Sequence, residues 1–386
     1  MLYETKNIAG TISYFADIVN DDISLFFITT EREKNRETKL LTIEKIKKSF
    51  KKNTQRNMSY IHYPYRVGNK SDQINYAVRY LKTQIENHKN TYIAIYDVDS
   101  RPNAETFNIF RQEVEKYPYA NVFQQSAIFL NNRNDFVIHD VGKYFLQIVA
   151  VAQTRFTLAH EIPRILRKIV SGSWFDQITY AHCVSHGLFI RYPFLEKVPM
   201  PSNYYPEDMF YGYLLSCIKE PIIPIYAFDN SNMPVDIKSL FIQRSKWFLG
   251  PFLSFTYLSY LKNNFRKEYN KNYFHAIMIT LYSFFNAGEW ICTTFVLLFI
   301  LSMLFYGSIL MIIGSILILI SYMYSYIYII FNIDILSHVG GRPIHKKSLI
   351  KNIGIVLGSP IYLVFHSLPA FKKMIEMAVQ SKKTNL

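Results

Sequence analysis

Short apolar runs alternate with amphipathic stretches along the first 240 residues of the chain. A short apolar run favours a buried strand, and apolar positions that repeat at helical spacing favour a helix. The predicted strands are residues 23–30, 58–62, 91–96, 120–129 and 187–192. The predicted helices are residues 38–52, 71–86, 104–117, 208–217 and, with a break near Pro163, 140–170. This alternation predicts an α/β domain with a mainly parallel sheet, in which ligands gather at the carboxyl ends of the strands.

A different pattern begins near Tyr273. Residues 291–331 contain no Asp, Glu, Lys, Arg or His. As a single helix they would be about 60 Å long, twice the roughly 30 Å hydrocarbon core of a bilayer. We therefore expect two membrane spans with a turn near Gly307, preceded by a helix over residues 273–286 that enters the membrane. The alternative is a helical hairpin buried in a soluble core, but such hairpins rarely run this long without charge.

The basic residues orient these spans. By the positive-inside rule, the basic loop 332–351 is expected on the cytoplasmic side. Residues 352–371 form a third apolar segment, broken at Gly358-Ser359-Pro360, that either crosses the membrane or folds as a re-entrant or interfacial hairpin. Because the first residues lack the apolar core of a signal peptide, we expect a cytoplasmic α/β domain on a multi-pass cell-membrane protein. The expected division is 1–240 for this domain, 241–272 for amphipathic interface helices and 273–386 for two or three spans.

The chain carries 43 Lys and Arg against 29 Asp and Glu, a formal net charge of +14. These basic residues are scattered and accompany no nucleic-acid-binding motif, so we expect no nucleic-acid partner. A basic protein with membrane spans instead fits anionic lipid and anionic nucleotides. The cysteines Cys183, Cys217 and Cys292 have neither disulfide nor metal-site spacing, which indicates a reducing compartment.

Two carboxylates, Asp97 and Asp99, directly follow the predicted strand 91–96. A tight turn there can aim both at one divalent cation. Mg²⁺ and Mn²⁺ prefer oxygen ligands of this kind and keep positions open for phosphate oxygens. The alternative is a solvated acidic turn, because an Asp-x-Asp sequence is common by chance.

A second polar sequence lies where a loop enters the predicted helix 71–86. Gly68 allows close backbone approach, and a helix N-terminus with Lys70 beside it favours an anion such as phosphate. Asn75 can hydrogen-bond either a bound donor or the loop itself. The alternative is a simple helix cap by Ser71.

An acidic pair, Glu207-Asp208, opens the predicted helix 208–217 among aromatic residues. A carboxylate in such surroundings can act as a general base on an acceptor hydroxyl. The alternative is a pair of charges that only matches the helix macrodipole.

The amphipathic stretch 239–265 begins close to Gln243-Arg244-Ser245-Lys246-Trp247. The tryptophan offers a flat face for a sugar ring, and the polar side chains can bind hydroxyls or phosphate. The alternative is an anchor at the depth of lipid headgroups.

Taken in this order, these sequences resemble the membrane-integrated branch of glycosyltransferase family 2, which includes cellulose, chitin and hyaluronan synthases. The resemblance implies a Rossmann-like GT-A fold, a nucleotide-sugar donor, with a UDP-sugar favoured, and inversion at the anomeric carbon. It implies metal and diphosphate contact at Asp97 and Asp99 and a catalytic base at Asp208, beside Glu207. It places the other site residues on the donor (Thr30, Glu31, Gly68, Lys70 and Asn75) and on the acceptor or pyrophosphate side (His186, Gln243, Arg244, Lys246 and Trp247).

The chain departs from the family pattern at several points, including the turn after the first strand, residues 29–33, which is only partly similar. Lys246 stands where the family usually has an arginine, which loosens phosphate contact because lysine cannot make a bidentate fork. Residues 62–65 replace the sequence in which an aspartate usually binds uracil, so the base of the donor stays open.

Several functions remain open at this level. The leading hypothesis is a Mg²⁺- or Mn²⁺-dependent transferase in cell-surface polysaccharide synthesis, either processive or adding one sugar to a lipid-linked acceptor. A homo-oligomer or a secretion partner could complete an export path. The alternatives are a metal-dependent nucleotidyltransferase and an inactive membrane scaffold of a glycan assembly complex.

Overall fold

The structure is a computed structural model that describes residues 7–35, 41–50, 57–85, 88–130, 132, 140–181, 183–202, 204–332, 336 and 349–384. The ends of the predicted helices 38–52 and 71–86, and most of the basic loop 332–351, lie outside this part of the chain.

The protein is a mixed α/β domain followed by long apolar helices. Its strands are β1 (Leu25–Thr30), β2 (Met58–Tyr63), β3 (Tyr92–Ile95), β4 (Val122–Ile128), β5 (Leu188–Arg191) and β6 (Ile222–Asn230). The helices before β6 are α1 (Ile8–Ala16), α2 (Thr42–Phe50), α3 (Lys70–Leu81), α4 (Glu105–Lys116), α5 (Val141–Phe156), α6 (Ile162–Val170), α7 (Trp174–Ile178), α8 (Tyr192–Lys197) and α9 (Glu207–Cys217). The helices after β6 are α10 (Ile237–Phe252), α11 (Ser254–Asn264), α12 (Arg266–Tyr306), α13 (Ile309–Phe331), α14 (Leu349–Gly358) and α15 (Ile361–Thr384).

Each predicted strand and helix of the first 240 residues has an observed counterpart, with ends displaced by a few residues. The break expected near Pro163 is a π-helical turn, Thr157–Glu161, just ahead of it. Sequence patterning missed α1, α7, α8 and β6. Strand β6 escaped because Pro224 interrupts its apolar run. That proline is tolerated because β6 lies at the edge of the four-stranded sheet, with β4 as its neighbouring strand.

The strands form two small sheets, and the larger one is mixed, so the prediction of a mainly parallel sheet holds only in part. Strands β1 and β2 pair in parallel, and a four-stranded sheet has the order β3-β5-β4-β6. Strand β6 is parallel to β4, whereas β5 is antiparallel to both of its neighbours. The physical reason is that helices α5 to α7 return the chain to the edge that it left after β4. A strand that starts from that edge must run antiparallel, and no crossover is needed.

The C-terminal part contains the apolar helices that the sequence predicts. Helices α12 and α13 are long and apolar enough to cross a membrane, and α14 with α15, bent by 47° at their junction, would form a third span if the pair counts as one. The predicted turn at Gly307 separates α12 from α13. A kink at Asn272 lies directly before residues 273–286, where a helix start was predicted, and these residues continue without a further break to the end of α12. Helix α15 packs along α12, where Thr293 donates a hydrogen bond to the Leu363 carbonyl oxygen at 2.9 Å.

Candidate active site

The candidate site lies at one edge of the four-stranded sheet. Because β5 runs opposite to its neighbours, its start lies beside the carboxyl ends of β3, β4 and β6. Asp97 and Asp99 follow β3, Ser185 and His186 precede β5, and Asp229 lies near the end of β6. The predicted position of the two aspartates at the carboxyl end of a strand is confirmed.

Lys70, the first residue of α3, connects this edge to the helix. Its Nζ donates hydrogen bonds to Asp97 Oδ1, to Ser185 Oγ at 2.9 Å and to the Ser185 carbonyl oxygen at 3.1 Å. The helix is capped by Asn69, whose side chain accepts from a backbone N–H of the first turn at 3.1 Å. The cap is therefore Asn69 and not Ser71, and the Lys70 ammonium is directed towards Asp97.

Asp208, at the start of α9, joins the same network through the backbone. Its Oδ2 accepts the N–H of Ser185 at 3.1 Å, and its Oδ1 accepts the N–H of Met209 at 2.8 Å. Ser185 thus binds Lys70 through its hydroxyl and carbonyl oxygens and binds Asp208 through its amide. Three separate sequence motifs meet in one hydrogen-bonded network.

Two glycines permit the close packing of this edge. Gly187 has φ +69°, and a Cβ there would lie 2.9 Å from the Gln125 carbonyl oxygen. Gly68 has φ +105°, and a Cβ there would lie 2.6 Å from Tyr63 Oη. Since L side chains rarely adopt this backbone conformation, both loops require glycine.

Neighbouring charges set the electrostatics of the network. Burial would lower the pKa of the Lys70 ammonium, but Asp97 and the acidic pair of α9 outweigh it and raise the pKa above its usual value. Burial opposes ionisation of Asp97, yet Lys70 and then His186 hold its pKa below the usual value. For Asp99, burial and then repulsion from Asp97 raise the pKa. A cation placed between the two aspartates would relieve that repulsion.

The acidic pair of α9 is suited to proton chemistry. Glu207 is buried, and burial followed by repulsion from Asp208 raises its pKa to about 7. A carboxyl group with such a pKa exchanges protons near neutral pH, which is the property that acid–base catalysis requires.

The donor set at Asp97 and Asp99 fits Mg²⁺ or Mn²⁺ bound partly by substrate. Within the described residues, no group of three or more His, Cys, Asp or Glu side chains is arranged to hold a metal. Mg²⁺, however, is commonly bound by only one or two carboxylates together with substrate phosphates and water. Asp97 and Asp99 meet that requirement, and both line an open cleft.

This cleft has a volume of about 1380 Å³ and lies between β1 of the small sheet and β3 of the larger one. Asp97, Asp99 and Lys70 form its polar end, and its apolar wall includes Phe107 and Phe110 of α4. A concave site with apolar walls and convergent polar groups at one end is typical of ligand pockets.

The residues predicted to contact a donor have different surroundings. Thr30 is buried at the end of β1, and Glu31 accepts from Lys34 Nζ at 2.9 Å and contacts His62 Nε2 at 3.0 Å. Asn75 donates to the Met200 carbonyl oxygen at 2.7 Å and accepts the Met200 N–H at 3.1 Å. Both the NH₂ group and the oxygen of the Asn75 side chain thus bond to the backbone of the segment ahead of α9. This agrees with the alternative in which Asn75 binds a loop and not the donor.

His186 faces a carboxylate that sequence reasoning missed. Its Nδ1 lies 3.6 Å from Oδ2 of the fully buried Asp229, which also accepts from the Ser231 hydroxyl at 2.9 Å and the Arg101 N–H at 2.7 Å. Asp229 escaped because β6 itself was missed. The available signal was an aspartate at the end of an apolar run.

The structure divides the motif on α10 between two faces of the helix. Lys246 Nζ lies 5.4 Å from the centroid of the Tyr205 ring. Burial and then the carboxylates of Glu207 and Asp208 raise the pKa of that tyrosine, so Lys246 lies on the side of the acidic pair. Trp247 and Gln243 are half-buried, and among the described residues no hydrogen bond joins Gln243 to the acidic pair.

Arg244 lies on the other face of α10. It is fully buried, its guanidinium is 4.4 Å from the centroid of the Trp247 ring, and its Nε and Nη2 have no hydrogen-bond partner among the described residues. The structure therefore does not bring Arg244 to the carboxylates with which the sequence grouped it.

A further buried carboxyl group, Glu161, ends the π-helical turn. One of its oxygens accepts from Thr157 Oγ1 at 3.2 Å, and the other has no partner among the described residues. Burial raises the pKa of Glu161 to about 7, with His186 acting against the shift and Asp208 adding to it. Glu161 therefore lies within electrostatic reach of the site. Sequence patterning missed it because a π turn has no separate periodicity.

Replacing Glu161 by Gln is expected to flatten the pH dependence of stability. Because the folded state raises this pKa from 4.5 to about 7, its contribution to the free energy of unfolding is complete below pH 4.5 and is lost as the pH rises to about 7. Melting temperatures of wild type and E161Q in detergent, measured from pH 5 to pH 8, test this. An equal fall in both proteins would contradict it.

Comparison with known proteins does not assign this chain to a family. No protein-family model and no curated protein sequence matches the chain. Among solved structures, a mannosyltransferase from Pyrobaculum calidifontis, in complex with GDP-Man and Mn²⁺, is similar with a TM-score of 0.46 and 10% identity, over 96% of this chain and 85% of that chain. Similarity at this level defines neither a fold nor an activity.

Proposed function

We propose that the protein is an inverting, metal-dependent glycosyltransferase with a GT-A fold, of the membrane-integrated family 2 type. The proposed reaction moves a sugar from a nucleotide-sugar donor to a glycan or lipid-linked acceptor at the cytoplasmic face of the cell membrane. The observation that carries the proposal is the network of Lys70, Asp97, Ser185 and Asp208. It joins a candidate phosphate-binding loop, a candidate metal site and a candidate base, and the first two line one cleft.

The cleft and its polar end are suited to a nucleotide diphosphate sugar. The apolar wall on α4 can cover the flat base, and Arg32, just after β1, lines the same cleft, whereas Thr30 and Glu31 are not among its lining residues. Asp97 and Asp99 would hold Mg²⁺ or Mn²⁺, which when bound neutralises charge on the departing diphosphate. The Lys70 ammonium adds a second positive charge at the same place.

Asp208 is placed to act as the base. Its carboxylate accepts a proton from the acceptor hydroxyl while the hydroxyl oxygen attacks the anomeric carbon. The bond from that carbon to the diphosphate oxygen breaks, and the configuration inverts because attack comes from the opposite side. The N–H groups of Ser185 and Met209 hold the carboxylate in position for this step.

Lys246 and Tyr205 form the candidate acceptor side, and Trp247 is the next residue of α10, with its ring against Arg244. The Trp247 ring is half-buried on α10, so one part of it stays available for a sugar ring. Lys246 is exposed beside Tyr205 and can reach a phosphate as a point charge. The apolar helices α12 and α13 keep this acceptor side close to a membrane, which suits a lipid-linked acceptor or a growing glycan.

Label transfer tests the proposed function directly. Membranes containing the protein are incubated with nucleotide sugars labelled in the sugar, and the label is followed into lipid extract and into insoluble polymer. Label in lipid indicates single addition, and label in polymer indicates processive synthesis. Metal-dependent transfer into either fraction is expected. Absence of transfer from every donor, with folded protein present, would contradict the proposal.

Replacing Asp99 by Ala is expected to weaken metal-dependent donor binding, because one of the two carboxylate ligands is lost. Titration of Mn²⁺ at fixed nucleotide sugar, followed by equilibrium dialysis of the nucleotide, should show a midpoint moved to higher Mn²⁺. A matched control is Glu196→Ala, because Glu196 is an exposed carboxylate paired with Lys82 and does not line the cleft. An unchanged midpoint in Asp99→Ala would remove it from the metal site.

A further inference from the structure

Arg244 of α10 is a buried cation without an anionic partner. Its side chain is only 2% exposed, and neither its Nε nor its Nη2 has a hydrogen-bond partner among the described residues. These two N–H groups lie along the same edge of the planar guanidinium, the edge that binds an oxyanion through two parallel hydrogen bonds. Because a buried charge is costly unless it is paired, this edge calls for an anionic group.

The rings on either side of Arg244 show where its side chain points. Phe241, one turn earlier on α10, contacts the Phe365 ring of α15 with centroids 6.0 Å apart. Phe248, one turn later, contacts the Trp290 ring of α12 with centroids 6.3 Å apart. Since residues 241, 244 and 248 share one face of the helix, Arg244 points towards the junction of α12 and α15.

A second buried polar atom without a partner lies at this junction. The His366 ring of α15 packs on the Trp290 ring, with centroids 4.0 Å apart, and lies 5.5 Å from the Tyr362 ring. Its Nδ1 has no hydrogen-bond partner among the described residues. His366 lies within electrostatic reach of Arg244. When Nδ1 carries a proton, both side chains can donate to one oxyanion.

Aromatic rings rather than carboxylates surround the two side chains. The Arg244 guanidinium lies 4.4 Å from the centroid of the Trp247 ring, a cation–π contact that offsets part of the cost of burial. Burial lowers the pKa of Arg244, and Tyr362 acts against the shift. Trp247, Trp290, Tyr362 and His366 are each half-buried, so the cluster borders the surface of the protein and a ligand can reach it.

We propose that Arg244 and His366 form a binding site for a phosphate group between α10, α12 and α15. A phosphate group has enough oxygens to accept from the guanidinium edge and from His366 together, whereas the edge alone uses both oxygens of a carboxylate. The site is separate from the cleft at Asp97, because Arg244 lies on the face of α10 away from Lys246 and the acidic pair. It does not require transferase activity.

Two sources supply this chemistry, a phosphate carried by a lipid and a soluble phosphate. Tryptophan fluorescence can distinguish them, because Trp247 and Trp290 are two of the three tryptophans of the chain. Intact protein, washed free of phospholipid in dodecyl maltoside, is titrated with dioleoyl phosphatidic acid and, separately, with inorganic phosphate. Sodium chloride at equal ionic strength is the reference. A saturable change is expected, with phosphatidic acid alone if the source is a lipid and with inorganic phosphate as well if it is soluble.

Variants of Arg244 test whether this residue binds the phosphate. Arg244→Gln is expected to raise the dissociation constant by roughly 10- to 150-fold, since it removes a charged donor. Arg244→Lys should restore only part of the affinity, because lysine keeps the charge but lacks the bidentate edge. The matched control is Lys238→Gln, which removes an exposed cation from the first turn of the same helix and should bind as wild type does.

Two outcomes would overturn the proposal. One is the absence of any saturable change in wild type with either ligand, and the other is an equal dissociation constant in wild type and Arg244→Gln. If Arg244→Gln does not fold, His366→Phe replaces it, because phenylalanine keeps a ring against Trp290 and removes Nδ1. Weaker binding in His366→Phe is expected, and wild-type affinity in that variant would count against the site.

Discussion

Replacing Asp208 by Asn is expected to reduce sugar transfer by about 10²- to 10⁴-fold, the usual contribution of general acid–base catalysis. Asparagine keeps one side-chain oxygen to accept from the Ser185 or Met209 N–H, so the start of α9 should be preserved. What is lost is the ability to take the proton from the acceptor hydroxyl. Donor binding, measured by equilibrium dialysis, should stay close to wild type while the transfer rate falls.

A matched control for this variant is Glu196→Gln, which neutralises an exposed carboxylate paired with Lys82 on the surface. It should leave the transfer rate unchanged. If D208N transfers sugar at the wild-type rate, Asp208 is not the base. If D208N loses donor binding as well as transfer, the residue acts on the shape of the site rather than on the proton.

Replacing Lys70 by Met is expected to weaken donor binding by roughly 10- to 150-fold, since a hydrogen bond to a charged group contributes about 1.5–3 kcal/mol. Methionine keeps the length of the side chain and removes the ammonium that binds Asp97 and Ser185. Asp97 then loses the charge that favours its ionised form. The dissociation constant of the nucleotide sugar, measured with and without Mn²⁺, should rise in both conditions.

Lys82→Met is the control at the other end of this helix, because Lys82 caps α3 and its side chain pairs with Glu196 on the surface. It should bind the donor as wild type does. Unchanged donor affinity in Lys70→Met would contradict the assignment of Lys70 to the diphosphate. A lower melting temperature with unchanged affinity would indicate a structural role only.

The sequence predicted those parts of the molecule that depend on local patterning. Asp97 and Asp99 follow an apolar run, and a strand was expected there, so their position at a sheet edge could be inferred. The acidic pair was expected to open a helix, and Glu207 and Asp208 are the first two residues of α9. The turn at Gly307 between α12 and α13 could be predicted because the charge-free residues 291–331 are about twice as long as one membrane span.

Long-range packing determined what the sequence did not predict. The direction of β5 depends on where helices α5 to α7 return the chain, and no local pattern records this. Asp229 and Glu161 come close to His186 only through the folded sheet and the π turn. Arg244 and Lys246 are two residues apart on one helix, so their side chains point to different faces. The sequence motif alone does not show this difference.

The most direct test of the central claim is nucleotide diphosphate release by intact protein in nanodiscs across several nucleotide sugars, with Mn²⁺, with Mg²⁺ and with neither, beside D208N. We expect release from one class of donor that requires the metal, accompanies sugar transfer and is lost in D208N. Release that is indifferent to metal and equal in D208N would contradict it, as would folded protein that binds the nucleotide and metal but releases nothing from any donor with membrane acceptors present.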